Sequence, residues 1–254
     1  MNTLLIAHNT FRETTRDRLL AGIVVAGVVL LAVTQLAGPL AMGEGRRLTI
    51  DLGLSGISLL GLLVVLLAGT NLVAKELERR TIYNLLSRPI SRPAYLVGNW
   101  AGLTATLWTL TLALGLALCG LLALRGDARF TPGVLVGALL AGLELMVMTA
   151  IAVMCSALST PVLSALYTLG FYLVGQWTYD LRLFATGAPA AARTVLEFVA
   201  DLAPNLPLFN ARTLAAGGQL PGADHVALAL LYALVYSSCV LGLAAAAFES
   251  RDFK

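Results

Sequence analysis

The chain has little charge. Of its 254 residues, 12% are Asp, Glu, Lys or Arg, about half of the roughly 25% usual in soluble domains. Lysine is almost missing: Lys75 and Lys254 are the only two, and arginine supplies the remaining basic side chains. That scarcity bears on nucleotide chemistry. A P-loop needs Gly, four residues, then Gly-Lys-Ser/Thr. Lys75 stands between Ala74 and Glu76, and Lys254 follows Phe253, so neither lysine can belong to one. ATP energy used by this chain must come from another chain. The net charge of +3 is too small for a nucleic-acid binder. Cys119, Cys155 and Cys239 each lie within an apolar run, with neither disulfide nor metal-ligand spacing. His8 and His225 lie in separate flanks, and neither His-Glu-x-x-His nor Gly-x-Ser-x-Gly occurs. No catalytic residue, cofactor-binding residue or metal ligand is therefore expected. No cleavable signal peptide is expected either, because the first apolar run is too long for one.

Apolar side chains are abundant. They make up 58% of the chain, and the mean hydropathy is +0.84. A soluble fold would need polar cover for this surface; a bilayer removes the need. About 20 apolar residues cross the hydrocarbon layer as a helix. Six stretches qualify, starting or ending near Leu19 to Met42, Ile50 to Ala74, Tyr95 to Ala123, Val134 to Leu158, Pro161 to Phe184 and Val226 to Phe248. The expected fold is an all-α polytopic membrane protein with six transmembrane helices in a single domain over 1–254. Pro161 suits the first turn of the fifth helix, and the short Ser159-Thr160 link predicts a tight hairpin with the fourth.

Six spans put both termini on one side. Arg12, Arg16, Arg18, Lys75, Arg79, Arg80, Arg88, Arg92, Arg251 and Lys254 share that side, against Arg46, Arg47, Arg125, Arg129, Arg182, Arg193 and Arg212 on the other. The positive-inside rule then makes both termini cytoplasmic. Residues 1–18 read as an interfacial helix. Residues 186–224 form an external re-entrant or amphipathic segment. Within it, Ala190–Leu202 presents Val195, Leu196, Phe198, Val199 and Leu202 on one face, Pro204 and Pro207 break the helix, and a short helix around Asn210–Ala216 follows.

The cytoplasmic loop 75–94 carries the most information. Leu77, Ile82, Leu85 and Leu86 recur at helical spacing, Glu76, Glu78, Arg79 and Arg80 take the other face, and Pro89 and Pro93 end the helix. Such a helix, without a partner in its own chain, suits a groove on another protein. The charged start, the Arg80-Thr81-Ile82-Tyr83 step, the run Leu85-Leu86-Ser87-Arg88-Pro89-Ile90-Ser91-Arg92 and the following Tyr95-Leu96-Val97-Gly98 resemble the ABC-2 type permeases. The likeness is to the branch tied to multicopper-enzyme and nitrous-oxide-reductase maturation, and it extends over nearly the whole chain. Lys75 departs from the acidic residue of many relatives.

The resemblance implies a permease subunit of an exporter-like ABC transporter in a bacterial or archaeal cytoplasmic membrane. Two permease copies, expected as a homodimer, would work with two copies of a separate cytoplasmic P-loop ATPase that binds ATP and Mg. A periplasmic partner is compatible with the maturation branch. The loop would be the coupling helix, docking through Glu76, Glu78, Arg79, Arg80, Thr81, Tyr83, Leu85, Leu86, Arg88 and Pro89. The competing readings are a membrane-embedded enzyme, which would need clustered acids or histidines near one face, and a secondary transporter, which would need related halves with broken helices.

Glu144 lies in the middle of the fourth span. An acid there costs about 2.5–3.5 kcal/mol to insert, so it reads either as a pathway group or as a carboxyl bonded to a neighbouring helix. Gln35, Asn71, Asn99 and Gln176 are weaker cases of the same kind. Gly98-x-x-x-Gly102 and Gly133-x-x-x-Gly137 permit close helix approach. Trp100, Trp108 and Trp177 suit interfacial belts.

Overall fold

The structure is a computed structural model that describes residues 2–37, 44–70 and 92–249. The expected coupling residues from Glu76 to Pro89, and Asn71, lie outside the described residues. Among the described residues there is no strand. In chain order the helices are α1 (Asn2–Arg16), α2 (Arg18–Ala37), α3 (Gly45–Val64), α4 (Arg92–Leu124), α5 (Thr131–Leu158), α6 (Pro161–Gln176), α7 (Thr178–Gly187), α8 (Ala190–Leu202), α9 (Arg212–Ala216) and α10 (Ala223–Glu249). A π-turn, Val65–Gly69, extends α3, and 3-10 turns occupy Ala128–Phe130 and Leu206–Phe209.

Among the described residues, five helical stretches are long and apolar enough to cross a membrane: Arg18–Gln35, Gly45–Gly69, Pro93–Leu124, Ala128–Leu158 and Ala223–Ala247. The third of these belongs to a 33-residue helix, about 50 Å long at 1.5 Å per residue. Pro93 sits in its first turn, where a missing N–H costs nothing. The apolar stretch from Pro161 to Phe184, read in the sequence as a fifth span, differs from a plain one. Its helix α6 has 16 residues, about 24 Å against the roughly 30 Å of a hydrocarbon core. The helix breaks at Trp177, and α7 begins at Thr178. Beside the break, a Cβ on Gly175 would lie 2.9 Å from the Pro204 carbonyl oxygen and 3.0 Å from Leu206. The segment after α8 thus packs closely against the last turn of α6.

Helix α5 is the centre of the bundle. Of its apolar span 83% is buried, against 22% for α2 and 28% for α10. It is rich in small side chains where neighbours cross. A Cβ on Gly137 would meet Leu54 of α3, and Gly142 faces the Trp108 ring of α4. Pro161 opens α6 in its first turn, and the Ser164 hydroxyl donates to the Cys155 carbonyl at 2.8 Å across the hairpin. At the same end of α5, the Ser156 hydroxyl donates to the Thr70 carbonyl at 2.8 Å, just past the π-turn.

Helix α1 is fixed to α4. Gly98 would meet Ile6 if it carried a Cβ, and Gly102 would meet the Ala7 carbonyl oxygen at 2.5 Å. The Thr10 hydroxyl donates to Asn99 Oδ1 at 2.8 Å between them. The Gly98-x-x-x-Gly102 pattern is therefore a helix crossing. Two of the three tryptophans depart from an interfacial belt. Trp100 Nε1 donates to the Met146 carbonyl at 3.2 Å, and Trp108 packs on Gly142; α5 draws both rings into the bundle. Trp177, at the α6 break, is exposed.

Candidate functional site

Glu144 is 3% exposed and stands at the middle of α5. A lone carboxylate at such a position would be costly, and three segments supply it with partners. Ser58, in the middle of α3, donates its hydroxyl to Oε2 at 3.2 Å. Gln176, the last residue of α6, donates its amide N–H to Oε1 at 2.6 Å. Arg212, the first residue of α9, is near enough to attract the carboxylate, and Tyr172, one turn before Gln176, is in electrostatic reach of both. The carboxyl therefore ties α3, α5 and α6 together, with Arg212 of α9 in electrostatic reach.

That segment is built into the bundle. Leu206 and Phe209 of the 3-10 turn are buried, as is Ala215 of α9. Gly133 in the first turn of α5 admits α9: a Cβ there would lie 3.1 Å from the Ala215 Cα. Hydrogen bonds complete the attachment. Thr178 donates to Asn205 Oδ1 at 3.3 Å, the Asn205 N–H donates to the Tyr232 hydroxyl at 2.9 Å, and Tyr236 donates to the Leu202 carbonyl at 3.4 Å. His225 Nε2 contacts the Leu208 carbonyl at 2.9 Å. Tyr232 and Tyr236 lie about 13 and 20 Å along α10 from its first residue, at 1.5 Å per residue. The chain from Leu202 to Asn205 therefore packs along the side of α10. Helices α7 and α8 are joined by the Arg182–Asp201 ion pair at 2.8 Å. On α8, Val195, Phe198 and Leu202 are exposed, and Arg193 pairs with Glu197 at 2.7 Å. Asp180, expected at the outer end of a fifth span, is exposed on α7.

Of the residues singled out in the sequence, the structure brings together Glu144 and Gln176, places Asn99 apart from them on α4 against α1, and leaves Gln35 in the last turn of α2, where its carbonyl accepts Arg125 at 3.3 Å. Ser58 and Arg212 carried no local signal. Ser58 is one hydroxyl in an apolar run, and Arg212 lies 68 positions along the chain from the acid. The arrangement joins α3, α5 and α6 through the Glu144 carboxyl. Among the described residues no three His, Cys, Asp or Glu side chains gather as a metal site.

No protein among curated sequences matches this chain. The model of a family described as "ABC-2 family transporter protein" matches residues 4–253, and the several apolar spanning helices agree with it. A multi-pass membrane protein whose whole length fits that description is a membrane component of transport, and the chain belongs to the ABC-2 transporter family.

Proposed function

We propose that this chain is the permease subunit of an exporter-like ABC transporter, with two copies of it driven by two copies of a separate cytoplasmic P-loop ATPase that binds ATP and Mg. The observation that carries this reading is the family match over residues 4–253. The sequence supports the need for a partner, because neither lysine can belong to a P-loop. In this reading the chain crosses the cytoplasmic membrane of a bacterium or archaeon six times, with α6 and α7 together forming the broken fifth crossing and both termini in the cytoplasm. Helix α1, Thr70 and the α5–α6 hairpin gather at one end of the bundle; Arg46, Arg125 and Asp127 gather at the other.

Residues 75–94 would be the coupling loop. Arg79 and Arg80 would pair with acidic groups of the ATPase, and Leu85 and Leu86 would enter its groove. Closure of the ATPase dimer on ATP would pull this loop. The pull reaches the bundle through the end of α3, where the Thr70 carbonyl is bonded to Ser156 of α5, the helix that carries Glu144. To act as a pathway group, Glu144 would have to part from Ser58 and Gln176 during the cycle. The maturation branch would make the cargo a small copper- or sulfur-related species for a periplasmic enzyme, with a periplasmic partner to receive it.

Changing Leu85 and Leu86 together to Asp tests the docking assignment. We expect the variant to insert and melt like the parent while losing at least ten-fold in ATPase retained on purification, as a buried apolar contact would when two charges are placed in it. An unchanged yield of bound ATPase would remove the loop from the interface.

A further inference from the structure

We propose that the end of the bundle away from α1 carries a phosphate-binding seat made by Arg46, Arg125 and Arg129. The three guanidinium groups come from three different places: the first turn of α3, the turn after α4, and the 3-10 turn before α5. Arg46 and Arg129 meet on the Phe130 ring, and Arg125 joins them through Thr49 of α3. Arg46 lies over the Phe130 ring with its Cζ 4.1 Å from the centroid, and Arg129 lies over the same ring at 4.9 Å. Arg125 reaches Thr49, one turn along α3 from Arg46, at 3.4 Å.

The charges do not balance. Asp127 meets Arg46 at 3.7 Å, too long for a hydrogen-bonded fork. Arg125 meets neutral oxygens, the Thr49 hydroxyl and the Gln35 carbonyl. Arg47 pairs with Glu44. Among the described residues, the one carboxylate that pairs with the three groups is Asp127, and the buried Arg46 Nε has no hydrogen-bond partner.

The framework is rigid enough to hold them. Phe130 is 4% exposed. A Cβ on Gly218 would lie 2.8 Å from its ring, and Gly218 has a φ of 74°, a left-handed conformation that favours glycine. The segment after α9 is thus clamped on one side of Phe130 while arginines stack on it. Planar guanidinium forks fit phosphate oxygens in pairs, and the seat lies at the end of membrane-spanning helices, at the depth of lipid phosphates. The ligand class is a phosphate monoester or diester, supplied either by an anionic lipid headgroup or by a free phosphate compound.

This inference goes beyond the permease reading and can be tested on the chain alone, without an ATPase. The delipidated full-length protein would be titrated by native mass spectrometry with phosphatidylglycerol, with phosphatidylcholine and with inorganic phosphate. We expect phosphatidylglycerol to bind at least ten-fold more tightly than phosphatidylcholine, and R46Q/R125Q/R129Q to lose that preference. Binding of inorganic phosphate with the same arginine dependence, and no lipid preference, would support the seat with a free phosphate as its source. If the triple variant fails to fold, the exposed single changes Arg125→Gln and Arg129→Gln are read instead, each expected to weaken the preferred ligand at least three-fold. Equal binding of both lipids with no arginine-dependent phosphate binding, or variants that bind like the parent, would overturn the proposal.

Discussion

Glu144→Ala is expected to destabilise the protein by about 2 kcal/mol, because two buried donors lose their acceptor. The change removes the acceptor for the Ser58 hydroxyl and the Gln176 amide. Two effects limit it. Intramembrane hydrogen bonds average only about 0.6 kcal/mol each, and the unfolded chain also keeps its polar groups satisfied. Glu144→Gln keeps the shape and one acceptor oxygen and should cost about 1 kcal/mol. The measurement is unfolding of the purified protein in mixed micelles. If Glu144→Ala unfolds with the parent while only transport is lost, the carboxyl does not clamp the bundle and acts on cargo instead.

Gly102→Ala should be at least as severe, for a different reason. Its Cβ would lie 2.5 Å from the Ala7 carbonyl oxygen and 2.7 Å from the Thr10 Cβ. The nearer atom is backbone, which cannot rotate away, so α1 must move off α4 as a body. Overpacking of this kind costs about 1–3 kcal/mol, here at the upper end. Gly120 and Gly170 are matched controls, since a Cβ at either meets nothing within 4 Å. Alanine there should be neutral or should stabilise by up to about 1 kcal/mol, the helix-propensity difference. The readout is a disulfide between cysteines placed at Thr10 and Asn99, whose side chains touch at 2.8 Å. It should form readily in the parent and in the Gly120→Ala background, and poorly with Gly102→Ala. Equal cross-linking in all three would refute the crossing.

These two residues also show how far a sequence reading reaches. The apolar runs were legible because hydrophobic length is a one-dimensional property, and α2, α3, α4, α5 and α10 each fall on one of them. The Gly98 and Gly102 spacing suggested a helix crossing, but many partners would satisfy it; Ile6 and Ala7 emerge only in three dimensions. The fifth run carries no signal of the break at Trp177, which is apolar enough to extend it. Beside that break Pro204 and Leu206 pack closely on Gly175, a contact between residues far apart in the chain. Glu144 was conspicuous as an acid in an apolar run. Its partners Ser58 and Arg212 were not, because a serine and an arginine are ordinary until the fold brings them to the acid. The arginines around Phe130 were counted only for their sign, and their convergence depends on how α3 meets the turn after α4.

The central claim is that this chain transmits the work of another protein's ATP hydrolysis. The most direct measurement is purification of the tagged wild-type chain from its native membrane in mild detergent, with identification of bound proteins and an assay of ATP hydrolysis. The account predicts a P-loop ATPase in equal amount with the chain and hydrolysis that follows it through a sizing column. A chain that purifies without an ATPase, and stimulates none when membranes are reconstituted, would contradict it and return the membrane-enzyme and secondary-transporter readings to the front.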